Sequence, residues 1–329
     1  MYSEAELASA VSAGAISAQT AEALHAFKQT RDATSLPDEE NVRLVTSFND
    51  IFVTIAGVLL FIGLGTLGGD IAGPLLVAAA AWGLAEYFTL KRRMALPSIV
   101  LLLAFVGGIG AGAAALGLDF FAALLATGAA WLHWRRFHVP ITVAAGVAAA
   151  IAFAAGLLDN VLSSDNVVLG FLLVCGIGTF AYAMRWDSAD TARRTANADI
   201  AFWLHVLAAL LIVHPVFQLL DLGKASSIGG AVAVLGIYLA LSLVALAVDR
   251  RALMASALAY VLAALVQLVG QGEHNEANLA LAALVIGSAL LLLSALWHHA
   301  RRRVIAALPD GWRHKVPPAT LPPSPPKSV

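Results

Sequence analysis

"DIAFWLHVLAALLIVHPVFQ", residues Asp199–Gln218, is the stretch whose reading decides the fold. A helix rises about 1.5 Å per residue, so a run of this length covers about 30 Å, the thickness of bilayer hydrocarbon. An acid opens the run, two histidines and a proline interrupt it, and a glutamine closes it; everything else is apolar. Runs of similar length recur from Phe48 to His299. Within hydrocarbon each spanning segment must satisfy its own backbone hydrogen bonds, and the period-two alternation of a lipid-facing barrel strand is absent. The sequence therefore predicts an all-α, polytopic bundle of transmembrane helices.

Composition agrees. Of 329 residues, 60% are hydrophobic and 12% charged, about half the charged fraction of a soluble domain. A net charge of −1 argues against a nucleic-acid partner and leaves the lipid bilayer as the expected surroundings. The single cysteine, Cys175, lies in an apolar run, so no internal disulfide can form. Residues 1–47 are polar and lack the charged-then-apolar layout of a cleavable signal peptide, so the first transmembrane helix is expected to act as its own targeting signal.

Ten spans are predicted, near 49–68, 70–90, 97–117, 119–134, 139–158, 167–184, 199–220, 227–248, 252–271 and 277–299. Lys and Arg provide an independent check, because cytoplasmic loops retain them. Ten spans put the termini and alternate turns on one side, including Lys91-Arg92-Arg93, Arg135-Arg136, Arg250-Arg251 and Arg301-Arg302-Arg303. That side holds 19 of the 20 basic residues, all but Lys224. Both termini are thus expected in the cytoplasm. A short repeat, "RRMALPSIV" from Arg92 and "RRFHVPITV" from Arg135, places a basic turn before a proline-started helix twice and suggests stacked helical hairpins.

Three regions follow: a cytoplasmic helix-turn-helix-like segment at 1–47, a transmembrane domain at 48–300, and a basic then proline-rich disordered tail at 301–329. In the first, Ser3 with Glu6 forms a capping box, Gly14 suits a helix stop, and Ser17 can cap a second helix with Ala21, Leu24 and Phe27 on one face. So short a segment buries little core alone. It reads as a cover for the membrane helices or as the docking site of a protein partner.

On a helical wheel of about 100° per residue, with Asp199 at zero, Trp203, His214 and Gln218 fall within about 100° on one face. His205 falls near 240°, beside Ala201 and Ala208, and about 13 Å from His214 along the axis. The two histidines cannot share a metal ion. Asp199 is expected to cap or anchor its helix at the cytoplasmic interface. His205 lies deeper, where a buried ionisable group marks a candidate site. "FNDIFVTIAG" starts the first span as "NADIAFWLHV" starts the seventh, which puts Asp50 at the depth of Asp199. Glu86 ends the second span and is expected to pair with Lys91 and Arg92. Asn49, Asp50, Glu86, Asp199 and His205 therefore form the candidate polar site, with His214, Gln218 and Gln267 secondary and Tyr182, Tyr238 and Tyr260 behind them. Gly108 and Gly112, in GxxxG spacing, read as helix packing.

There is no His-Glu-x-x-His zinc motif, phosphate loop or Gly-x-Ser-x-Gly elbow, and the arginines after His298-His299 repel a cation. No metal or cofactor set is predicted, and an enzyme is the least favoured reading. "LVTSFNDIFVTIAGVLL" and "RTANADIAFWLHVLAALLIVHPVF", with the N-terminal "AGAIS" module, resemble a group of bacterial polytopic inner-membrane proteins that carry a domain of unknown function. The resemblance covers nearly all the chain except the tail. It implies a bacterial inner membrane and a multi-helix fold, and carries no assigned chemistry. Transport of a small solute or proton through the polar site is the first functional expectation. A non-catalytic scaffold or sensor docking a partner through residues 1–47 is the second.

Overall fold

The computed structural model describes residues 9–24, 48–190, 195–221, 228–251, 254, 258, 261–262, 276–309, 311 and 316. Among these, every regular element is helical. The predicted capping box at Ser3 and Glu6, and the sites at Gln267, Tyr260 and Phe27, lie outside the described residues.

Residues 41–317 form one compact unit, and 1–40 with 318–329 another. In the smaller unit the described residues are helical at 9–12 and 18–24. Gly14 stops the first helix with φ 69°, and the Ser17 hydroxyl accepts the Thr20 N–H at 3.1 Å to start the second. Leu24 on the second helix is exposed.

The larger unit contains α1 (Phe48–Ala85), a π-helical extension (Glu86–Lys91), α2 (Ala95–Ala115), α3 (Asp119–Phe137) and α4 (Ile141–Leu162). It continues with α5 (Asp165–Ala189), α6 (Ala196–Leu219), α7 (Ile228–Val248) and α8 (Glu276–Ala307). Among the described residues, five helical segments are long and apolar enough to cross a membrane: Phe48–Lys91, Ala95–Ala115, Ile141–Leu162, Asp165–Ala189 and Ala196–Leu219. The first, at 44 residues, is broken at Gly69 (φ 65°, ψ −166°), a left-handed conformation that glycine adopts without steric penalty. A Cβ at Gly73 would collide with the backbone of Gly65, so the chain folds tightly across this break.

Small residues set how closely the helices approach. Gly108 and Gly112 of α2 are buried, and a Cβ on them would meet the Pro74 carbonyl and the Leu75 side chain, each at 2.6 Å. The GxxxG pair is therefore a packing surface for α1. Gly176 of α5 does the same against α6, where its Cβ would come within 2.9 Å of Leu211. That contact sits at the turn whose hydrogen bond Pro215 removes.

Helices α1, α2, α3 and α4 pack in chain order, α5 pairs with α6, and α4 contacts both α5 and α6. Helix α7 pairs with α8. Trp82, Ala81, Leu101 and Phe105 centre the first core; Ala183, Ile200 and Leu204 centre a second, and Ala209, Leu246 and Trp297 a third. Large apolar side chains such as Leu67, Val161, Val174 and Leu291 point outward, as lipid-facing positions do.

Candidate functional site

Polar groups in the interior collect where α5, α6 and α7 meet. Asp187, in the last turn of α5, is 2% exposed, as is Arg250, two residues past α7. The Arg250 guanidinium grips the Asp187 carboxylate with two donors, Nε to Oδ2 at 3.3 Å and Nη2 to Oδ1. Its Nη2 also donates to the Ala198 carbonyl at 3.2 Å, tying α6 into the same contact. Such a two-pronged guanidinium–carboxylate pair is among the stronger charge-assisted bonds.

His205, fully buried on α6, completes the group. Its Nδ1 lies 2.7 Å from the Ala201 carbonyl and 3.7 Å from Asp187 Oδ2. A carbonyl can only accept, so Nδ1 carries a hydrogen and donates to Ala201. The Phe180 ring meets the imidazole edge to face at 5.3 Å. A carboxylate, a guanidinium and an imidazole thus meet in the buried interior, where a charge-assisted pair is stronger than in water.

The surrounding turns are built to hold this group. The Asp190 carboxylate accepts both the backbone N–H and the hydroxyl of Thr195, each at 2.7 Å, closing the α5–α6 connection. Thr195 then caps α6, its hydroxyl accepting the Asn197 N–H at 3.3 Å. Asp199 is therefore not the cap of its helix, contrary to expectation. It sits half-buried in the first turn, within electrostatic range of Arg250 and Asp190.

A second cluster lies on the other side of Arg250. The Asp249 carboxylate accepts the Trp297 indole N–H at 2.9 Å and stands 3.4 Å from Arg301 Nε, so α7 is joined to α8. Arg251 lies over the Trp297 ring at 4.9 Å. Burial of Arg301 lowers its affinity for a proton, and the adjacent Asp249 opposes this.

The residues singled out from the sequence are only partly brought together. His205 and Asp199 belong to this region; Asp50 and Glu86 do not. Asp50 is 1% exposed on α1, and among the closely packed helix pairs none joins α1 to α6. Glu86 pairs with Arg136 of α3, Nε to Oε1 at 2.9 Å and Nη2 to Oε2 at 2.6 Å, and not with Lys91 or Arg92. The reason is the π-helical turn, which carries Lys91 beside Tyr87 while α3 brings Arg136 to the carboxylate. Asn49 is exposed, as are His214 and Gln218 on the outward face of α6.

Sequence reading passed over Asp187, Asp249, Arg250, Trp297 and Arg301, and also His133. The last is a fully buried ring among Trp82, Phe105 and Phe137, with Nδ1 3.3 Å from the Thr142 hydroxyl. A signal was present: "RWDSADT" and "VDRR" put Asp187, Asp190 and Asp249 on the predicted basic side, where acids need a reason. Among the described residues no three or more His, Cys, Asp or Glu side chains are placed to hold a metal ion. No family model matches the sequence, and no curated protein or solved structure matches it significantly.

Proposed function

We propose that the chain is a ten-span bacterial inner-membrane protein with cytoplasmic termini that moves protons or a small solute, with Asp187 and His205 as its coupling pair. The observation that carries this reading is a titratable carboxylate and imidazole 3.7 Å apart, both buried, at the junction of three helices. Ionisable groups within a membrane protein are expensive and mark ion or proton pathways by default. Arg250 supplies a fixed positive charge against the Asp187 carboxylate, on the same oxygen that faces the His205 imidazole. The ion pairs Glu86–Arg136, Asp187–Arg250 and Asp249–Arg301 join helix ends that the basic-residue count assigns to a single side, which supports their shared side. The sharp break at Gly69 supports a first hairpin.

The purified chain in liposomes, with a trapped pH-sensitive dye and an imposed gradient, tests the reading. Asp187→Asn and His205→Gln should each cut proton flux about a hundredfold or more, the lower range for loss of a proton-transfer group. Flux equal to that of the parent chain in both folded variants would reject it.

A second reading has its own observation. The capped helix at residues 18–24 presents the exposed Leu24, as a partner-docking scaffold or sensor would. Deleting residues 1–45 and comparing cross-linked partners in cells tests it; an unchanged set of partners would count against it.

A further inference from the structure

A groove of about 170 Å³ runs between the first half of α1, the π-helical extension and the start of α2. Gly57, Leu60 and Phe61 form one wall, and Phe88, Pro97 and Leu101 the other. The one hydroxyl in the lining, that of Thr54, donates to the Asp50 carbonyl at 2.7 Å and so is satisfied within its own helix. The groove is apolar throughout, a narrow slot between helices.

Its charged end is as distinctive. The turn Lys91-Arg92-Arg93 joins the elements that carry the lining residues Phe88 and Pro97, and all three of its side chains are exposed. None of them makes an ion pair with a described residue. The nearest acid in the chain, Glu86, is already held by Arg136. Asp50 is buried and is not part of the wall. The turn therefore keeps its positive charge between the two elements that wall the apolar slot.

We propose that the groove and the Lys91–Arg93 turn bind one anionic diacyl phospholipid, with an acyl chain in the slot and the phosphate on the basic turn. Charge complementarity selects the occupant. A second copy of this chain would bring its own basic turn to the same level of the membrane, whereas an anionic lipid supplies the missing negative charge together with the apolar tail. Gly57 leaves the slot open: a Cβ there meets nothing nearer than the Phe61 ring, at 4.0 Å. A larger side chain can enter the groove without disturbing the backbone.

Native mass spectrometry of the full chain, titrated with palmitoyl-oleoyl phosphatidylglycerol or with phosphatidylcholine of the same chains, tests the proposal. Phosphatidylglycerol should bind about tenfold more tightly, a modest return for three basic groups near a lipid surface. Combining Lys91→Ala, Arg92→Ala and Arg93→Ala should abolish the preference between headgroups. Gly57→Leu should weaken both lipids while leaving the preference intact, and both variants should keep the parent unfolding temperature. Glycerol 3-phosphate should not compete. Equal binding of the two lipids would overturn the proposal, as would competition by glycerol 3-phosphate. So would lipid binding unaltered by either variant, including the case where Gly57→Leu instead dissociates a dimer.

Discussion

Asp249 and Arg250 are neighbours in the chain, yet their side chains leave in different directions and bind different helices. Arg250 reaches Asp187 and the Ala198 carbonyl, while Asp249 takes Trp297 and Arg301. The divergence is made at Asp249, whose φ of 61° ends α7 in the left-handed region. Aspartate tolerates that conformation better than most residues. One turn thereby couples α7 to α5 and α6 on one side and to α8 on the other.

Breaking this coupling on one side only should be severe. Arg250→Met leaves the Asp187 carboxylate buried beside His205 without its guanidinium, a change that costs about 3–5 kcal/mol in buried pairs. Combining it with Asp187→Leu should recover most of that loss, since both charges are gone. Unfolding of the detergent-solubilised chain measures both, and a double variant no better than the single would refute the coupling.

The left-handed residue makes a separate prediction. Asp249→Asn retains the backbone preference and an acceptor for the Trp297 N–H, and loses only the charge beside the buried Arg301. Asp249→Val removes the acceptor and puts a β-branched residue at φ 61°, which adds about 1–2 kcal/mol of strain. The unfolding temperature should fall clearly further for valine than for asparagine.

Glu86 and Arg136 make a comparably direct ion pair, but their side chains are 37% and 51% exposed. Water and salt screen such a pair to about 0–1 kcal/mol. Glu86→Gln should therefore leave the unfolding temperature almost unchanged, in contrast to Arg250→Met. A large drop would mean that this end of the bundle is drier than its exposure indicates.

Glycines on α1 and α2 should respond according to what faces them. Gly108→Leu drives a side chain into the Pro74 carbonyl, and overpacking of this kind costs about 1–3 kcal/mol. Gly63→Leu enters open space, with nothing within 4 Å. The first should lower expression and unfolding temperature, and the second neither.

The orientation is open to labelling. In a chain with Cys175→Ala, single cysteines at Asp70 and Asp159 should react with an impermeant maleimide added outside intact cells. Cysteines at Arg92 and Arg135 should react only after the membrane is opened. All four sites are exposed in the structure, so failure of this alternation would reflect topology and not burial.

What the sequence alone determined was the solvent and the helices. Apolar run length, charge scarcity and the absence of strand alternation already dictate membrane-compatible helices, because in hydrocarbon the backbone has no other partner. The faces of α6 were legible too: the wheel that separates His205 from His214 separates a fully buried residue from an exposed one. Periodicity within one helix is a local property and needs no knowledge of neighbours. Pairing between helices is different. Asp187 meets Arg250 across 63 residues and Asp249 meets Trp297 across 48, and no spacing rule links such positions. From sequence Arg250 was one more basic residue in a loop, and Asp50 looked equivalent to Asp199 because both begin a helix. Only tertiary packing decided that α6 closes on α5 and α4 while α1 closes on α2, which leaves those two acids in different surroundings.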